Sequence, residues 1–483
     1  MNSAAIPLPP VFHTVDEMYP LEGEDLKEIQ SRYTNLTQQF EKIYGSAPAY
    51  FARAPGRVNL IGEHVDYSGY GVLPMALDRQ DTIMAVRVVE GNVQEDTINL
   101  HNVSDRFPTR ALTASSSIDV AHDWSRYVLA AYRGLEQAKD LVGDDGRGGE
   151  EKQTPPQTIN ILTHGTVPIG SGLSSSSALV CASSLALAQA NKQRLSKTQM
   201  ADLACKAERF IGMESGGMDQ AISFLGEKGK AKRIDFDPLR ASDVMIPEGG
   251  VEANKYATLG SGYNMRVVEC RLAAVLLGKA LGIEDWVQIR RLIDVQKLHK
   301  PQPSLEDLAG FVKQHLHEEA YSLNELAELT GFDVDRVRKD YLGRIVVEDV
   351  NQKVFHLCQR SLHVYTESKR VEDFQAICQT KAASAEEASS QLEVLGKLMN
   401  ESHFSCRDLF ACSCSELDQL TALCREAGAV GSRLTGAGWG GWTISLVPTH
   451  KVDAFCTKVK ETFPELLVTK PGTGAAVYVP IAH

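Results

Sequence analysis

Apolar side chains at Leu26, Ile29, Tyr33, Leu36, Phe40 and Ile43 fall three or four positions apart, which places them on one face of a helix over residues 24–44, with Gly45 as its stop. Strand-like stretches follow at Tyr50–Ala52 and Thr82–Val89 and flank a block of different character. Thr158–Thr163 reads as a strand, Gly165–Ser174 as a loop, and about Ser175–Asn191 and Thr198–Ile211 as helices. A pair of strands is expected within Ala221–Asp235, turning around Gly226–Gly229. Helical spacing dominates from about Met265 to Thr380. Further on, Glu416–Ala427 reads as a helix, Ser432–Gly441 is glycine-rich, and Trp442–Val447 reads as a strand. Residues 143–157 mix Gly, Pro and charge without an apolar period, so a mobile surface loop is expected there. Helix and strand signals alternate without a repeating βαβ period, so the expected class is α+β in two lobes, 1–240 and 241–483.

Composition narrows the function more than the fold. The chain has 483 residues and a formal net charge of −12, which argues against nucleic acid or an anionic membrane as partner. No apolar run approaches the roughly 20 residues of a membrane span, and residues 1–10 lack the features of a secretory signal. The ten cysteines include one tight pair, Cys412 and Cys414, without a second pair at metal-ligand spacing. Free thiols in a cytoplasmic protein are therefore expected, with small molecules as the partners and a monomer as the working unit.

Two blocks carry chemistry. Residues 54–76 crowd Arg57, Asn59, Glu63, His64, Asp66 and Tyr67 between glycines and short apolar runs. Such a concentration of donors and acceptors suits a polyhydroxy ligand, each hydroxyl of which needs a placed partner. Residues 168–178, Pro-Ile-Gly-Ser-Gly-Leu-Ser-Ser-Ser-Ser-Ala, follow a strand and open a helix. Glycines there let backbone approach a phosphate, first-turn N–H groups point at it, and serine hydroxyls add donors or a lone pair for Mg²⁺. The bland alternative is a helix cap with a serine-rich linker. No stretch matches the Walker pattern G-x-x-x-x-G-K-[ST], and the third glycine of a dinucleotide loop is replaced by Ser175. Gly436-Ala437-Gly438-Trp439-Gly440-Gly441 matches G-x-G-x-x-G literally but runs into a strand, so it fails the required context.

These blocks, with Ser432–Gly441, Ala207–Gly212 and Ser215–Gln220, resemble the ordered motifs of the GHMP kinase superfamily, and most closely its eukaryotic galactokinase and N-acetylgalactosamine kinase branch. The resemblance implies a ribosomal-protein-S5-domain-2-like first lobe, a ferredoxin-like second lobe, and ATP-dependent phosphorylation of the galactose C1 hydroxyl. By the same resemblance Asp219 and Arg57 are the catalytic pair, while Glu63, His64, Asp66, Gly216 and Tyr263 contact the sugar. Gly170, Ser171, Gly172, Leu173, Ser174, Ser175, Ser176 and Ser177 would cradle the nucleotide, with Trp124 near the adenine, and Ser176 and Glu208 would hold Mg²⁺. An ion-paired aspartate is a weak base, which leaves open whether Asp219 deprotonates the hydroxyl or orients it. Taken alone, Trp124 is a core residue, Glu208 a solvated helix residue, and residues 63–66 a satisfied loop network.

Tyr263 favours galactose, since the N-acetylgalactosamine kinases tend toward Phe at that place. Alternatives are an N-acetylgalactosamine kinase, a galactose- and ATP-binding sensor, and an inactive relative. The full-length serine loop argues for an enzyme over a sensor. Two departures from the pattern stand out. Trp442 replaces a usual Cys and is expected to crowd the glycine loop. Residues 247–256 lack a β-branched run where the resemblance implies an apolar strand, so a strand is expected to be missing, with poor stability and weak activity as the consequence.

Overall fold

The computed structural model describes residues 7–19, 21–89, 95–118, 123–138, 157–212, 215–245, 250–256, 262–342 and 354–481. The loop expected at 143–157 lies outside them except for Gln157.

A seven-stranded mixed sheet forms the first lobe. Its strands are β1 (Val11–Phe12), β2 (Tyr50–Asn59), β3 (Pro74–Val89), β4 (Thr97–Asn102), β5 (Arg110–Thr113), β6 (Thr158–Gly165) and β13 (Ala476–Tyr478), in the order β1-β13-β2-β3-β6-β4-β5. Both faces are covered, as alternation along the strands dictates. Phe51, Ile83, Ala85 and Leu162 pack on one face beneath the helix Gly23–Tyr44, which ends at Gly45 in a left-handed conformation. Ala52, Ala54, Met84, Val86, Ile159 and Ile161 pack on the other face, beneath the helices Ser125–Ala138, Ser175–Ala190, Lys197–Arg209 and Met218–Leu225.

The second lobe carries a four-stranded antiparallel sheet of β9 (Gly250–Tyr256), β10 (Gly431–Thr435), β11 (Gly441–Val447) and β12 (Leu466–Thr469), in the order β10-β11-β9-β12. Helices including Tyr263–Ala280, Leu357–Gln379 and Ala385–Asp408 pack around it and form most of this lobe. The hairpin β7 (Ala231–Phe236) and β8 (Leu239–Val244) joins the lobes, so the division expected at residue 240 falls inside it. The chain then returns, because β13 belongs to the first lobe's sheet.

Four expectations need correction. The strand placed at Tyr50–Ala52 runs on to Asn59 and carries Arg57 within the sheet. A register irregularity between Pro55 and Arg57 accommodates Pro55 and Gly56 within it. The hairpin expected within Ala221–Asp235 is a helix as far as Leu225, its buried face formed by Met218, Ala221 and Ile222. The hairpin lies further on and turns at Asp237-Pro238. Residues 250–256 do form a strand, and it is interior, paired with β11 on one side and β12 on the other. Ladder hydrogen bonds on both edges override weak intrinsic β-propensity, which is a context-dependent preference. Finally, Trp442 is buried in a core with Val58, Leu173, Ala178 and Ile444 and does not displace the loop, although its indole Nε1 has no hydrogen-bond partner among the described residues.

Candidate active site

Strand β2 delivers Arg57 to the mouth of a cavity of about 410 Å³, which lies between the signature block, the serine loop and the glycine loop 436–440. The helix Met218–Leu225 begins at Gly217 and puts Asp219 in its first turn. The two side chains meet there: Arg57 Nε donates to Asp219 Oδ1 at 2.7 Å. Ser174 Oγ donates to the other carboxylate oxygen, Oδ2. Asp219 is thus clamped on both oxygens, an arrangement that fixes its direction within the cavity. Arg57 is clamped in turn, with Nη1 donating to the Gly172 carbonyl and its backbone N–H to the Leu173 carbonyl.

Ser174 occupies the left-handed region at φ 62° and caps the helix Ser175–Ala190, which presents Ser175, Ser176 and Ser177 to the same cavity. Strain of this kind in a non-glycine residue collects at functional sites. The glycines around it are dictated by close approach. A Cβ on Gly172, itself at φ +77°, would lie 2.7 Å from the Thr435 carbonyl oxygen. A Cβ on Gly436 would lie 2.4 Å from the Gly172 carbonyl oxygen. The two glycine loops therefore stack backbone on backbone, and the second braces the first.

The opposite wall comes from the signature block. Glu63, His64 and Asp66 line the cavity with Tyr263 and Asn264, which open the helix Tyr263–Ala280. Burial, reinforced by the nearby Asp219 charge, pushes the Asp66 carboxyl up to about 6. Glu63 is raised by burial and held down by Arg433, whose Nη2 stands 3.1 Å from it. Burial drops His64 to about 3, so its ring is neutral. Its Nε2 stands 3.0 Å from the Ala437 carbonyl, which can only accept. That fixes the proton on Nε2 and leaves Nδ1 to accept from the Tyr67 hydroxyl at 3.1 Å. Both nitrogens are thus engaged by protein, so His64 ties the signature to the glycine loop instead of offering a ring nitrogen to a ligand.

Glu208 lines the cavity floor and accepts from Ser177 Oγ at 2.9 Å; burial and the Asp219 charge push it up to about 7. A buried carboxylate among hydroxyls, without an ion-pair partner among the described residues, is a hard-oxygen donor set suited to Mg²⁺. Ser176 lines the same cavity. No group of three His, Cys, Asp or Glu side chains able to hold a metal occurs among the described residues.

Several expected residues lie elsewhere. Leu173 is fully buried beneath the loop. Gly216 lines an adjoining cavity and touches the signature from behind; a Cβ there would lie 2.3 Å from the Tyr67 nitrogen. Trp124 is a buried core residue, its indole Nε1 donating to the Pro108 carbonyl and its ring set edge-on to Phe107. It is absent from the described lining of the cavity.

Sequence reading missed the support beneath Glu63. Glu367, wholly buried on the helix Leu357–Gln379, accepts from the Gly62 and Glu63 backbone N–H groups at 2.9 and 3.3 Å, from Ser402 Oγ at 2.6 Å and from Arg370 Nε at 2.8 Å. Burial would raise its carboxyl, but Arg370 and Arg433 together bring it down to about 2. Arg433 also donates to the Asn59 carbonyl and to Ser402, and His363 Nε2 donates to the Glu63 carbonyl at 3.0 Å. Nothing in the spacing of Glu367 or His363 along a helix of little amphipathic bias announces such a role.

The paired loops and the two lobes define a kinase of the GHMP class. The GHMP kinases N terminal domain matches residues 126–227 and the GHMP kinases C terminal domain matches residues 381–465. The galactokinase galactose-binding signature matches residues 38–88. Galactokinase from Dictyostelium discoideum is 44% identical over 481 residues, covering 94% of this chain and 91% of that protein. Galactokinase from Saccharomyces cerevisiae is 31% identical over 545 residues, covering 96% and 99%. The chain belongs to the galactokinase family. The fold agrees with the crystal structure of Lactococcus lactis galactokinase complexed with galactose (TM-score 0.68, 24% identity, 92% of this chain and 99% of that one). It agrees more distantly with Methanococcus jannaschii mevalonate kinase (TM-score 0.51, 17% identity, 87% and 98%).

Proposed function

We propose that the chain transfers the γ-phosphoryl group of ATP to the C1 hydroxyl of D-galactose, giving galactose 1-phosphate. The observation that carries this reading is the single cavity in which Asp219, clamped by Arg57 and Ser174, stands between the Glu63–Asp66 wall and the serine loop. Phosphoryl transfer is mainly positioning and charge stabilisation, and the cavity supplies both. Asp219 orients the attacking hydroxyl and accepts its proton as the bond forms. Arg57 holds Asp219 in an ion pair and offsets charge on the transferred group. Glu63, Asp66 and Tyr263 read sugar hydroxyls, with His64 and Gly216 holding that wall in place. The serine-loop N–H groups and hydroxyls receive the phosphates at the start of a helix. Ser176 and Glu208 would hold Mg²⁺, which when bound neutralises phosphate charge.

The division of labour is part of the reading: residues up to about 240, joined by Tyr263, bind and react, and most of the remainder braces the glycine loops. A cytoplasmic location agrees with the ten free cysteines.

A coupled ADP-release assay with galactose, N-acetylgalactosamine and glucose tests the assignment. Turnover with galactose at least ~10-fold above the other two in kcat/KM is expected, a gap of about 1.4 kcal/mol in the barrier. Preference for N-acetylgalactosamine would replace the substrate. Sugar binding without ADP release would favour a sensor or an inactive relative.

A further inference from the structure

Behind the sugar wall lies a second cavity, of about 500 Å³, between the helices Lys197–Arg209 and Tyr263–Ala280, the β7–β8 hairpin and residues 290–291. It shares Asp66 and Ser215 with the transfer cavity but none of the serine loop. Four guanidiniums line it: Arg209, Arg271, Arg290 and Arg291. Arg291 is neutralised locally by Asp237 at 3.1 Å and Asp294 at 2.9 Å. Arg271 donates to the Tyr341 carbonyl. Arg290 Nη1 donates to the Val287 and Ile289 carbonyls, and the guanidinium lies over the Tyr341 ring. Neither Arg290 nor Arg209 forms an ion pair among the described residues, and the lining Asp202 is paired with Lys206 at 2.7 Å.

Two exposed guanidiniums without an ion-pair partner among the described residues match the charge of one phosphomonoester, near −2 at neutral pH, and a planar fork suits its oxygens. Phe236, Leu239 and Val267 give the cavity an apolar side, and its volume exceeds what a bare phosphate needs. We propose that this cavity is a second ligand site that takes a hexose-sized sugar phosphate. The wall between the two cavities is one layer of backbone, because a Cβ on Gly216 would fall 2.5 Å from the Asp66 carbonyl carbon. A ligand there presses on Asp66 from behind and changes sugar affinity in the first cavity. This coupling rests on the sugar reading above; binding itself does not.

The test titrates galactose 1-phosphate and glucose 6-phosphate into the full chain by calorimetry, alone and with the transfer cavity filled by galactose and a non-hydrolysable ATP analogue. One saturable site is expected to persist with that cavity filled. Arg209→Ala/Arg290→Ala should weaken it at least ~10-fold, while Arg209→Lys/Arg290→Lys should retain part of it, as expected when charge is kept but the fork is lost. Both variants should keep the wild-type melting temperature within a few degrees and the wild-type turnover. In wild type alone, glucose 6-phosphate should shift the galactose KM at least ~2-fold with the ATP KM unmoved, as a coupling between sites requires. Loss of all binding once the first cavity is filled would overturn the proposal. So would equal affinity in the double-alanine variant, or inorganic phosphate binding as tightly as either sugar phosphate. If instead galactose itself is not turned over, the functional assignment fails while the sugar-phosphate titration still reads out.

Discussion

Arg433 on β10 and Glu63 in the signature block meet at 3.1 Å although 370 residues separate them, and neither side chain is appreciably exposed to solvent. Behind them Glu367 shares the Arg433 charge and accepts the Gly62 and Glu63 backbone N–H groups. The Glu63 carboxylate is therefore held by the second lobe, through a chain of buried charges.

Glu367→Gln should disturb that chain. Removing one member of a buried charged network typically costs about 3–5 kcal/mol, so a fall of several degrees in melting temperature is expected. In protein that remains folded, the galactose KM should rise more than the ATP KM. An unchanged melting curve would show that Arg370 and Arg433 tolerate the loss of their shared anion.

Asp219→Asn keeps the shape of the side chain but removes its charge and its capacity to take a proton. Turnover should fall at least ~10²-fold with ATP binding nearly intact. Near-wild-type rates in this variant would remove Asp219 from the reaction.

Asp66 gives a pH signature. Its carboxyl sits near 6 because burial and Asp219 disfavour the anion. An acid raised on folding stabilises the fold below its unfolded value, and that contribution is lost as pH rises through about 6. Sugar binding runs the other way, because the anion is the better acceptor of hydroxyl hydrogen bonds. The galactose KM should therefore rise severalfold as pH falls from about 7 to about 5, and Asp66→Asn should flatten the profile. Asp66→Ala should raise the galactose KM roughly 10-fold or more, in line with ~1.5–3 kcal/mol for a hydrogen bond to a charged group. Equal shifts in the galactose and ATP KM values would mean that the loop had collapsed.

Gly436→Ala places a Cβ 2.4 Å from the Gly172 carbonyl oxygen, at a φ of +84° that side chains rarely adopt. A destabilisation of about 1–3 kcal/mol is expected from the overpacking, together with weaker ATP binding as the serine loop shifts. Tight ATP binding in this variant would show that the two loops do not depend on each other.

Ala253→Pro tests β9. Ala253 is opposite Ile444 on one side and Leu467 on the other, so proline there removes a ladder hydrogen bond from an interior strand. A loss of about 3 kcal/mol or more is expected, read as a lower urea midpoint. A neutral result would put residues 250–256 at an edge.

Much of the site was legible because its chemistry is local in sequence: Glu63, His64 and Asp66 lie within four residues, and the serine loop is continuous. Resemblance singled out Arg57 and Asp219 together, and the two side chains lie 2.7 Å apart. What escaped was non-local. Glu367 and His363 matter through residues about 300 positions away. The strand at 250–256 draws its pairing from β11 and β12 and not from its own composition, while Ala221–Leu225 took helical form because Gly217 and Gly226 bracket a buried apolar turn. For Trp124, resemblance suggested a ligand contact, and packing against Phe107 gave it a core role.

Strand β13 lies between β1 and β2, and Arg53 on β2 donates to the carbonyls of Thr473 and Gly474, 420 or more residues later in the chain. During synthesis on the ribosome the edge of β2, the strand that carries Arg57, stays unpaired until that late segment emerges. The first lobe cannot complete its sheet as a vectorially folding unit, and its exposed edge is open to mispairing through most of translation. The sheet edge of the strand that carries Arg57 is thereby completed only once nearly the whole polypeptide has been made.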